Sequence, residues 1–277
     1  MDRAEELPSP VPLLADLRRI GRGFQIQFTV IHALVLRETR TRFGLNRLGY
    51  FWAVFEPVSV ILTFFGAFYL TSHAPPTGMG LVGFIATGLL PYELVMNTAE
   101  RGAEAINGNR SMLFYPQVHR LDLIWARSVL EAVTLIVVST IILGTEAFIL
   151  GGHAVDDWLG LLVAITLGSM LGTGLGLVFC MASVLTALVD RIRGVISRPL
   201  FWVSGIFFTA DSIPHEVAGV ARWNPILHVI ELVRDALYPS YTSNVASEKY
   251  VLGWALGLLA LGLVLERKVR TKIEVAG

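Results

Sequence analysis

The stretch WLGLLVAITLGSMLGTGLGLVFCMASVLTALV, residues 158–189, contains no charged side chain. A helix needs about 20 mostly apolar residues to cross the hydrocarbon core of a bilayer, and this run exceeds that length. A helix on the surface of a soluble protein keeps polar residues on its outer face, which this stretch does not do. We therefore expect a membrane-spanning helix here and an integral membrane protein around it.

The composition supports the same conclusion. The chain has 277 residues, 54% of them hydrophobic and 16% charged, with a mean hydropathy of +0.62. Soluble domains carry about a quarter charged residues. The formal net charge is zero, which argues against a nucleic-acid partner. With Cys180 as the one cysteine, no intramolecular disulfide is possible. Residues 1–21 lack the features of a secretory signal, so targeting is expected from the internal spans.

Further spans are predicted on both sides of residues 158–189. The clearest are 48–70, 81–96, 121–150 and 250–265. Residues 199–210 are too short to cross alone, but a helix that begins earlier would reach, with Arg191, Arg193 and Arg198 extending to the interface. The prediction is an all-α polytopic protein with six transmembrane helices.

Between the last two spans, residues 213–241 are half apolar and interrupted by Pro214, Pro225 and Pro239. Apolar residues at 226, 230, 233 and 237 nevertheless follow helical spacing. Irregular backbone at membrane depth needs protein or a water-filled cavity around it. We therefore predict a re-entrant external hairpin that dips into the outer leaflet.

The positive charges indicate an orientation. Of the 22 Lys and Arg residues, 19 fall on one side of the predicted spans, including both ends of the chain. Cytoplasmic loops carry the excess of Lys and Arg, so both termini are expected in the cytoplasm.

An amphipathic helix is predicted before the first span. Phe24, Phe28, Ile31 and Val35 fall on one stripe, followed by a basic end. Such a helix lies along the membrane surface with its arginines among anionic headgroups. The chain then divides into a cytoplasmic tail (1–23), an interfacial helix (24–47), a six-span permease domain (48–266) and a second cytoplasmic tail (267–277).

Nucleotide chemistry of the P-loop type is absent from this sequence. That motif needs a Lys followed by Ser or Thr, because the ammonium and the hydroxyl reach phosphate and magnesium. The three lysines, Lys249, Lys268 and Lys272, are followed by Tyr, Val and Ile. If ATP drives this protein, a separate subunit binds it.

Two clusters of polar residues invite a catalytic or metal-binding interpretation. His153 with Asp156 and Asp157 matches metal-ligand chemistry, but a hydrated external loop is the favoured interpretation. His228 and Glu231, three residues apart, share a helix face, either as an acid–base or ligand pair or, as we favour, as a satisfied polar pair.

Charged residues inside the spans give further alternatives. Arg127 and Glu131, at i and i+4, predict an ion pair. Glu56 and Glu93 are intramembrane acids that a proton-coupled carrier would use, although both lie near span ends.

Gly168, Gly172 and Gly176 recur every four residues in the span from 158. Small residues at this spacing allow close helix approach. Packing within one protomer and a dimer seam are equally compatible with the spacing.

Four motifs, in order along the chain, resemble a known family. They are RFGLNRLGYFWAVFEP (42–57), NRSMLFYPQV with Leu-Asp at 121–122 (109–122), RPLF with SGIFF (198–208), and NPILH with Glu231 (224–231). Together they are similar to type-2 ABC exporter permeases of the capsular polysaccharide (KpsM-type) subfamily. One departure is Thr209-Ala210, where many members carry a proline after the paired phenylalanines.

The resemblance implies a homodimer in a bacterial inner membrane, bound to two ATP-binding cassette subunits that hold ATP and Mg²⁺. It implies transport of a lipid-linked polysaccharide to the periplasm, together with a periplasmic adaptor and an outer-membrane export protein. The chain itself would bind no cofactor and catalyse no reaction.

Candidate functional residues follow from this resemblance and from side-chain chemistry. Arginines bind phosphate bidentately, and aromatic faces stack on sugar rings. Topology signals and the aromatic belt at the interfaces are the competing interpretations. The substrate-path candidates are Arg37, Arg40, Arg42, Arg47, Tyr50, Phe51, Trp52, Tyr69, Phe201, Trp202, Phe207 and Phe208. Within the segment 107–118, predicted to couple to the ATPase, the candidates are Met112, Leu113, Phe114 and Tyr115. Those in the external hairpin are Trp223, Asn224, Pro225, His228 and Glu231.

Other functions remain open from the sequence. O-antigen and teichoic-acid exporters have permeases of the same architecture. From different classes, the alternatives are a proton-coupled carrier and a membrane-embedded glycosyl- or acyltransferase.

Overall fold

The computed structural model of the protein describes residues 13–44, 48–72, 74–76, 78–115, 117–150, 155–186 and 188–276. Every regular element in these ranges is helical, which confirms the predicted all-α class. The α-helices are α1 (Leu13–Phe43), α2 (Leu48–Leu70), α3 (Leu81–Ala103), α4 (Ala105–Gly108), α5 (Arg120–Leu150), α6 (Trp158–Leu185), α7 (Leu188–Val203), α8 (His215–Ala221), α9 (Pro225–Leu237) and α10 (Glu248–Ala276). Short 3-10 helices occupy Arg110–Phe114 and Ala210–Ser212.

Within the described residues, five helices are long and apolar enough to cross a membrane: Phe51–Leu70, Leu81–Ala103, Arg120–Ile149, Trp158–Leu185 and Glu248–Arg270. The predicted fifth span corresponds to α7, which begins at Leu188 and so contains all three arginines before Pro199. Its 16 residues are too few to cross an average bilayer unaided. The count of six spans and the re-entrant hairpin therefore stay predictions.

Helices α3 and α6 form the centre of the bundle, and glycines set their separation. A methyl group on Gly172 would lie 2.6 Å from the carbonyl oxygen of Val95, and one on Gly176 would lie 3.1 Å from Gly102 Cα. A methyl group on Gly168 would meet Val229 and Leu94 at 3.0 and 3.2 Å. All three glycines thus pack within one protomer, and the dimer-seam interpretation of this repeat is wrong.

Helix α1, 31 residues long, packs against α5. Leu34 is buried, and Val30 and Val35 pack beside it on a small apolar cluster near the end of α3. Phe28, on the predicted apolar stripe, is exposed. The helix begins at Leu13, upstream of the predicted start at residue 24.

Gly172→Ala tests the close approach of α3 and α6. The added carbon would also lie 2.8 Å from Thr98 Cβ, so helix backbones must shift. We expect the free energy of unfolding to fall by about 1–3 kcal/mol.

The matched control for this variant is Gly144→Ala on α5, where an added carbon meets nothing within 4 Å. The control is expected to be neutral or stabilising by up to about 1 kcal/mol, as for a Gly-to-Ala change in an open helix. Thermal unfolding in detergent measures both variants. Equal shifts in the two would contradict the packing described here.

Candidate functional site

One end of the bundle, where Arg42, Arg101, Arg127 and Arg193 lie, carries a network of ion pairs; we call it the basic end. The carboxylate of Glu131 on α5 is buried and accepts from Arg42 Nη1 at 2.5 Å and Arg101 Nε at 2.7 Å. It thereby joins α1, α3 and α5.

Arg127 and Glu131 do not form the predicted ion pair, because each has other partners. Arg127 Nε lies 2.9 Å from Glu38 Oε1, and Arg127 Nη1 donates to the carbonyl oxygen of Arg101 at 2.6 Å. The local spacing was misleading because α1 runs alongside α5 and supplies a closer partner for each residue.

The arginines predicted to bind substrate phosphate differ in their surroundings. Arg42 is engaged by Glu131, and Arg37 Nη1 donates to Asn109 Oδ1 at 2.9 Å. Arg40 is exposed. Arg47 lies outside the described residues.

A cavity of about 90 Å³ opens beside Glu131, between α1, α2, α3 and α5. Glu56 and Glu93, the two intramembrane acids, both line it, together with Asn97 and Thr134. Its polar groups are hydrogen-bonding side chains of the kind that hold water or hydroxyl groups. The structure therefore brings together acids that are far apart in the sequence.

Five rings form what we call the aromatic wall: Phe64 and Phe68 of α2, Phe201 and Trp202 of α7, and Phe207 after it. The Phe207 ring centroid lies 4.2 Å from that of Phe64, 5.3 Å from Trp202 and 5.5 Å from Phe201. Aromatic residues predicted in the fifth span therefore contact rings of the first span. The rings they contact, Phe64 and Phe68, were not among the predicted candidates.

The other predicted rings of the first span lie elsewhere. Phe51 and Trp52 are exposed and contact Phe55 near the start of α2, and Tyr69 is exposed next to Phe65. The side chain of Tyr50 lies outside those the structure describes. Phe208 is half-buried and supplies its carbonyl oxygen to Arg234.

The predicted coupling segment, residues 107–118, contains the end of α4 and the 3-10 helix Arg110–Phe114. Its four apolar residues divide into two pairs. Met112 and Leu113 pack inward on the cluster around Leu34, whereas Phe114 is 87% exposed and Tyr115 is 59% exposed. Buried Asn109 donates to the carbonyl oxygen of Ala105 at 3.1 Å, which anchors the turn.

The external-hairpin candidates lie on and before α9, at the opposite end of α3. Asn224 caps α9 through its side-chain oxygen, which accepts from Ile226 N at 3.0 Å, and Pro225 occupies the first turn. Such a cap and a proline at this position favour helix initiation. Trp223 is exposed. The predicted apolar face of α9, Ile226, Ile230, Val233 and Leu237, is buried, which confirms it.

His228 and Glu231 are both buried on α9 but have separate partners. His228 Nε2 lies 2.8 Å from the carbonyl oxygen of Arg222, and its ring contacts Tyr250. Glu231 accepts from Ala210 N at 3.2 Å, from Ser243 Oγ at 2.7 Å and from the Tyr241 hydroxyl. Burial, reinforced by Glu231, raises the pKa of Tyr241, so its hydroxyl stays protonated as a donor.

No three His, Cys, Asp or Glu side chains converge as a metal-binding group within the part of the chain that the structure describes. His153, from the predicted cluster with Asp156 and Asp157, lies outside that part.

Comparison with known proteins identifies the family. The ABC-2 type transporter family matches residues 29–238, about three quarters of the chain. The chain belongs to the ABC-2 type transporter family. The polysialic acid transport protein KpsM of Escherichia coli is 34% identical over 247 residues, which cover 88% of this chain and 95% of KpsM.

Two other relatives extend the comparison. The capsule polysaccharide export inner-membrane protein BexB of Haemophilus influenzae is 29% identical over 262 residues, 94% of this chain and 98% of BexB. The O-antigen export system permease protein RfbA of Klebsiella pneumoniae is 20% identical over 246 residues, 88% of this chain and 93% of RfbA. The resemblance indicated by the four motifs is confirmed.

Three functional candidates of this ABC-2 protein were not identified from the sequence: Arg234, Phe64 and Phe68. Arg234 is 0% exposed and lies three residues after Glu231. That i, i+3 spacing of opposite charges was the available signal. For Phe64 and Phe68, the i, i+4 spacing of two rings was the signal.

Glu131→Gln tests the basic-end network of this ABC-2 protein. Removing the carboxylate leaves two arginines without their shared partner, and we expect a loss of about 1–3 kcal/mol of unfolding free energy. The control is Glu104→Gln, because Glu104 also pairs with an arginine, Arg193 Nη2 at 3.2 Å, but is 65% exposed at its side chain. Its expected loss is at most about 1 kcal/mol. Thermal unfolding in detergent distinguishes them, and an equal loss would contradict the role of Glu131.

Proposed function

We propose that this chain is the membrane-spanning permease subunit of an ATP-driven exporter of lipid-linked capsular polysaccharide. The observation that carries the proposal is end-to-end similarity to KpsM and BexB, whose names state polysialic acid transport and capsule polysaccharide export. The O-antigen permease RfbA is more distant, so capsule is favoured over O-antigen or teichoic acid as the substrate class. As its relative BexB is an inner-membrane protein, we place the chain in the bacterial inner membrane.

ATP hydrolysis belongs to a separate subunit in this proposal, because the sequence contains no Lys followed by Ser or Thr. The permease would act as a homodimer with two ATP-binding cassette subunits, which hold ATP and Mg²⁺. We place the docking site for that subunit at Phe114 and Tyr115. Exposed aromatic side chains next to a rigidly anchored turn suit a protein interface.

The proposed substrate path enters at the basic end. Arg40 is exposed, and Arg37 and Arg42 lie on the same helix, so α1 presents cations to the phosphate of the lipid carrier. The aromatic wall then offers ring faces to sugar rings. The excess of Lys and Arg supports both termini in the cytoplasm, with glycan moving towards the periplasm.

At the external side, the hairpin of α8 and α9 would gate the path or dock the periplasmic adaptor. Trp223 supports the second role because it projects from the hairpin. An outer-membrane export protein completes the proposed route.

Phe114→Asp tests the docking proposal. A carboxylate at this exposed position should disrupt an apolar contact with the ATPase while the spans remain folded, because Phe114 contributes little to the core. The control is Gln25→Asp, which adds the same charge at an exposed position of α1, outside the predicted coupling segment.

Affinity purification of the tagged permease measures the outcome. Unmodified protein and the control should co-purify with a nucleotide-binding subunit. The amount of that subunit recovered with Phe114→Asp should be about tenfold lower, as for a hot-spot residue. An exporter would be contradicted if no nucleotide-binding subunit accompanied the unmodified protein.

One observation favours a second candidate, a proton-coupled carrier: Glu56 and Glu93 line one cavity. The variant Glu56→Gln/Glu93→Gln decides between them. Because ATP supplies the energy in our proposal, we expect the variant to keep exporting polysaccharide to the cell surface. Loss of export with continued ATP hydrolysis by the partner would favour proton coupling.

A further inference from the structure

The aromatic wall depends on a segment that is not helical. Helix α7 ends at Val203, and residues 204–209 run in irregular conformation to the 3-10 helix Ala210–Ser212. Gly205 has φ +87°, a conformation that favours glycine, and turns the chain away from α7. The backbone of Phe207, the ring closest to Phe64, is therefore not held in a helix.

Arg234 supplies the missing support. Its Nη2 donates to the carbonyl oxygen of Ile206 at 3.1 Å, and its Nη1 donates to that of Phe208 at 2.9 Å. These two carbonyls flank Phe207 on either side. The planar fork of a guanidinium fits such a pair, and a lysine ammonium does not have that geometry.

Glu231 contacts both Arg234 and this segment. It lies 3.3 Å from Arg234 Nη1, and the same Oε1 accepts from Ala210 N at 3.2 Å. Both charged side chains are 0% exposed. One turn of α9 thus holds the segment through two carbonyls and one N–H.

The segment is also pressed against α3. Arg234 Nη2 reaches the carbonyl oxygen of Phe84 at 3.4 Å, and the guanidinium carbon lies 4.4 Å from the Phe84 ring centroid. A methyl group on Gly88 would lie 2.6 Å from the carbonyl oxygen of Ile206. Only glycine at 88 permits this approach, and an added carbon there would also lie 2.9 Å from Arg234 Nη2.

We propose that Arg234 is the positioning residue of the aromatic wall: it fixes Phe207 between α2 and α7 and makes the wall move together with α9. The inference rests on the proposed export function, since the wall would line the glycan path. It goes beyond that function by naming the group on which the shape of the path depends.

A double-mutant cycle on export tests the proposal in cells lacking the native copy, with surface polysaccharide as the readout. Arg234→Lys and Phe207→Ala should each lower export about tenfold, and the double variant should be no worse than Phe207→Ala alone. Hydrolysis by the ATPase partner should continue in all three. Independent, multiplying losses, about hundredfold in the double variant, would overturn the proposal. Arg222→Lys, at an exposed position before α9, is the control.

Gly88→Ala provides a second variant, which retains the Arg234 side chain but adds a carbon that would lie 2.6 Å from the Ile206 carbonyl oxygen and 2.9 Å from Arg234 Nη2. We expect it to reproduce the export loss and to show the same lack of additivity with Phe207→Ala. Gly257→Ala, where an added carbon meets nothing within 4 Å, should export normally. Normal export by Gly88→Ala would overturn the proposal, and this cycle decides the question if Arg234→Lys fails to accumulate. Absence of export by the unmodified protein would instead contradict the proposed function.

Discussion

Backbone groups inside a membrane protein need hydrogen-bond partners, because lipid offers none. Residues 204–209 leave helical geometry in the interior of the bundle, and the buried pair Glu231–Arg234 meets that need. A buried ion pair is expensive to desolvate and survives where further hydrogen bonds satisfy it. Here those bonds come from main-chain groups and from Tyr241 and Ser243. Among the described residues, Arg234 Nε is the one nitrogen of this guanidinium without a hydrogen-bond partner.

Helix α3 connects this site with the basic end. Near its start, Phe84 and Gly88 contact Arg234 and the segment that carries Phe207. At its other end, Arg101 binds Glu131 just before the turn that bears Phe114. Glycine contacts with α6 hold α3 in place along its length. Under the proposed function, α3 therefore links a displacement of the coupling segment to the position of the aromatic wall.

Much of this could be predicted from the sequence, because lipid imposes strong and local rules. Long apolar runs predicted the five helices of the described residues that are long enough to span a membrane, and helical spacing predicted the buried face of α9. Phe201 and Phe207, two of the aromatic candidates of the predicted fifth span, lie in the aromatic wall. The Arg127–Glu131 prediction failed because the competing partners, Glu38 and Arg42, lie on a distant segment. Arg234 was missed because its acceptors other than Glu231 are carbonyl oxygens from α3 and from the segment after α7, and carbonyls carry no signature in a sequence.

Recognition of main-chain atoms has a consequence for substitutions in residues 204–210. Arg234 and Glu231 contact the carbonyls of Ile206 and Phe208 and the N–H of Ala210, groups that almost every amino acid possesses. Most side chains in this segment can therefore change without loss of these hydrogen bonds. There are two exceptions: Gly205, whose φ of +87° favours glycine, and position 210, where proline would abolish the N–H donor. A proline at 209 would leave that donor intact, so the bend there can vary while the Ala210 N–H still donates to Glu231.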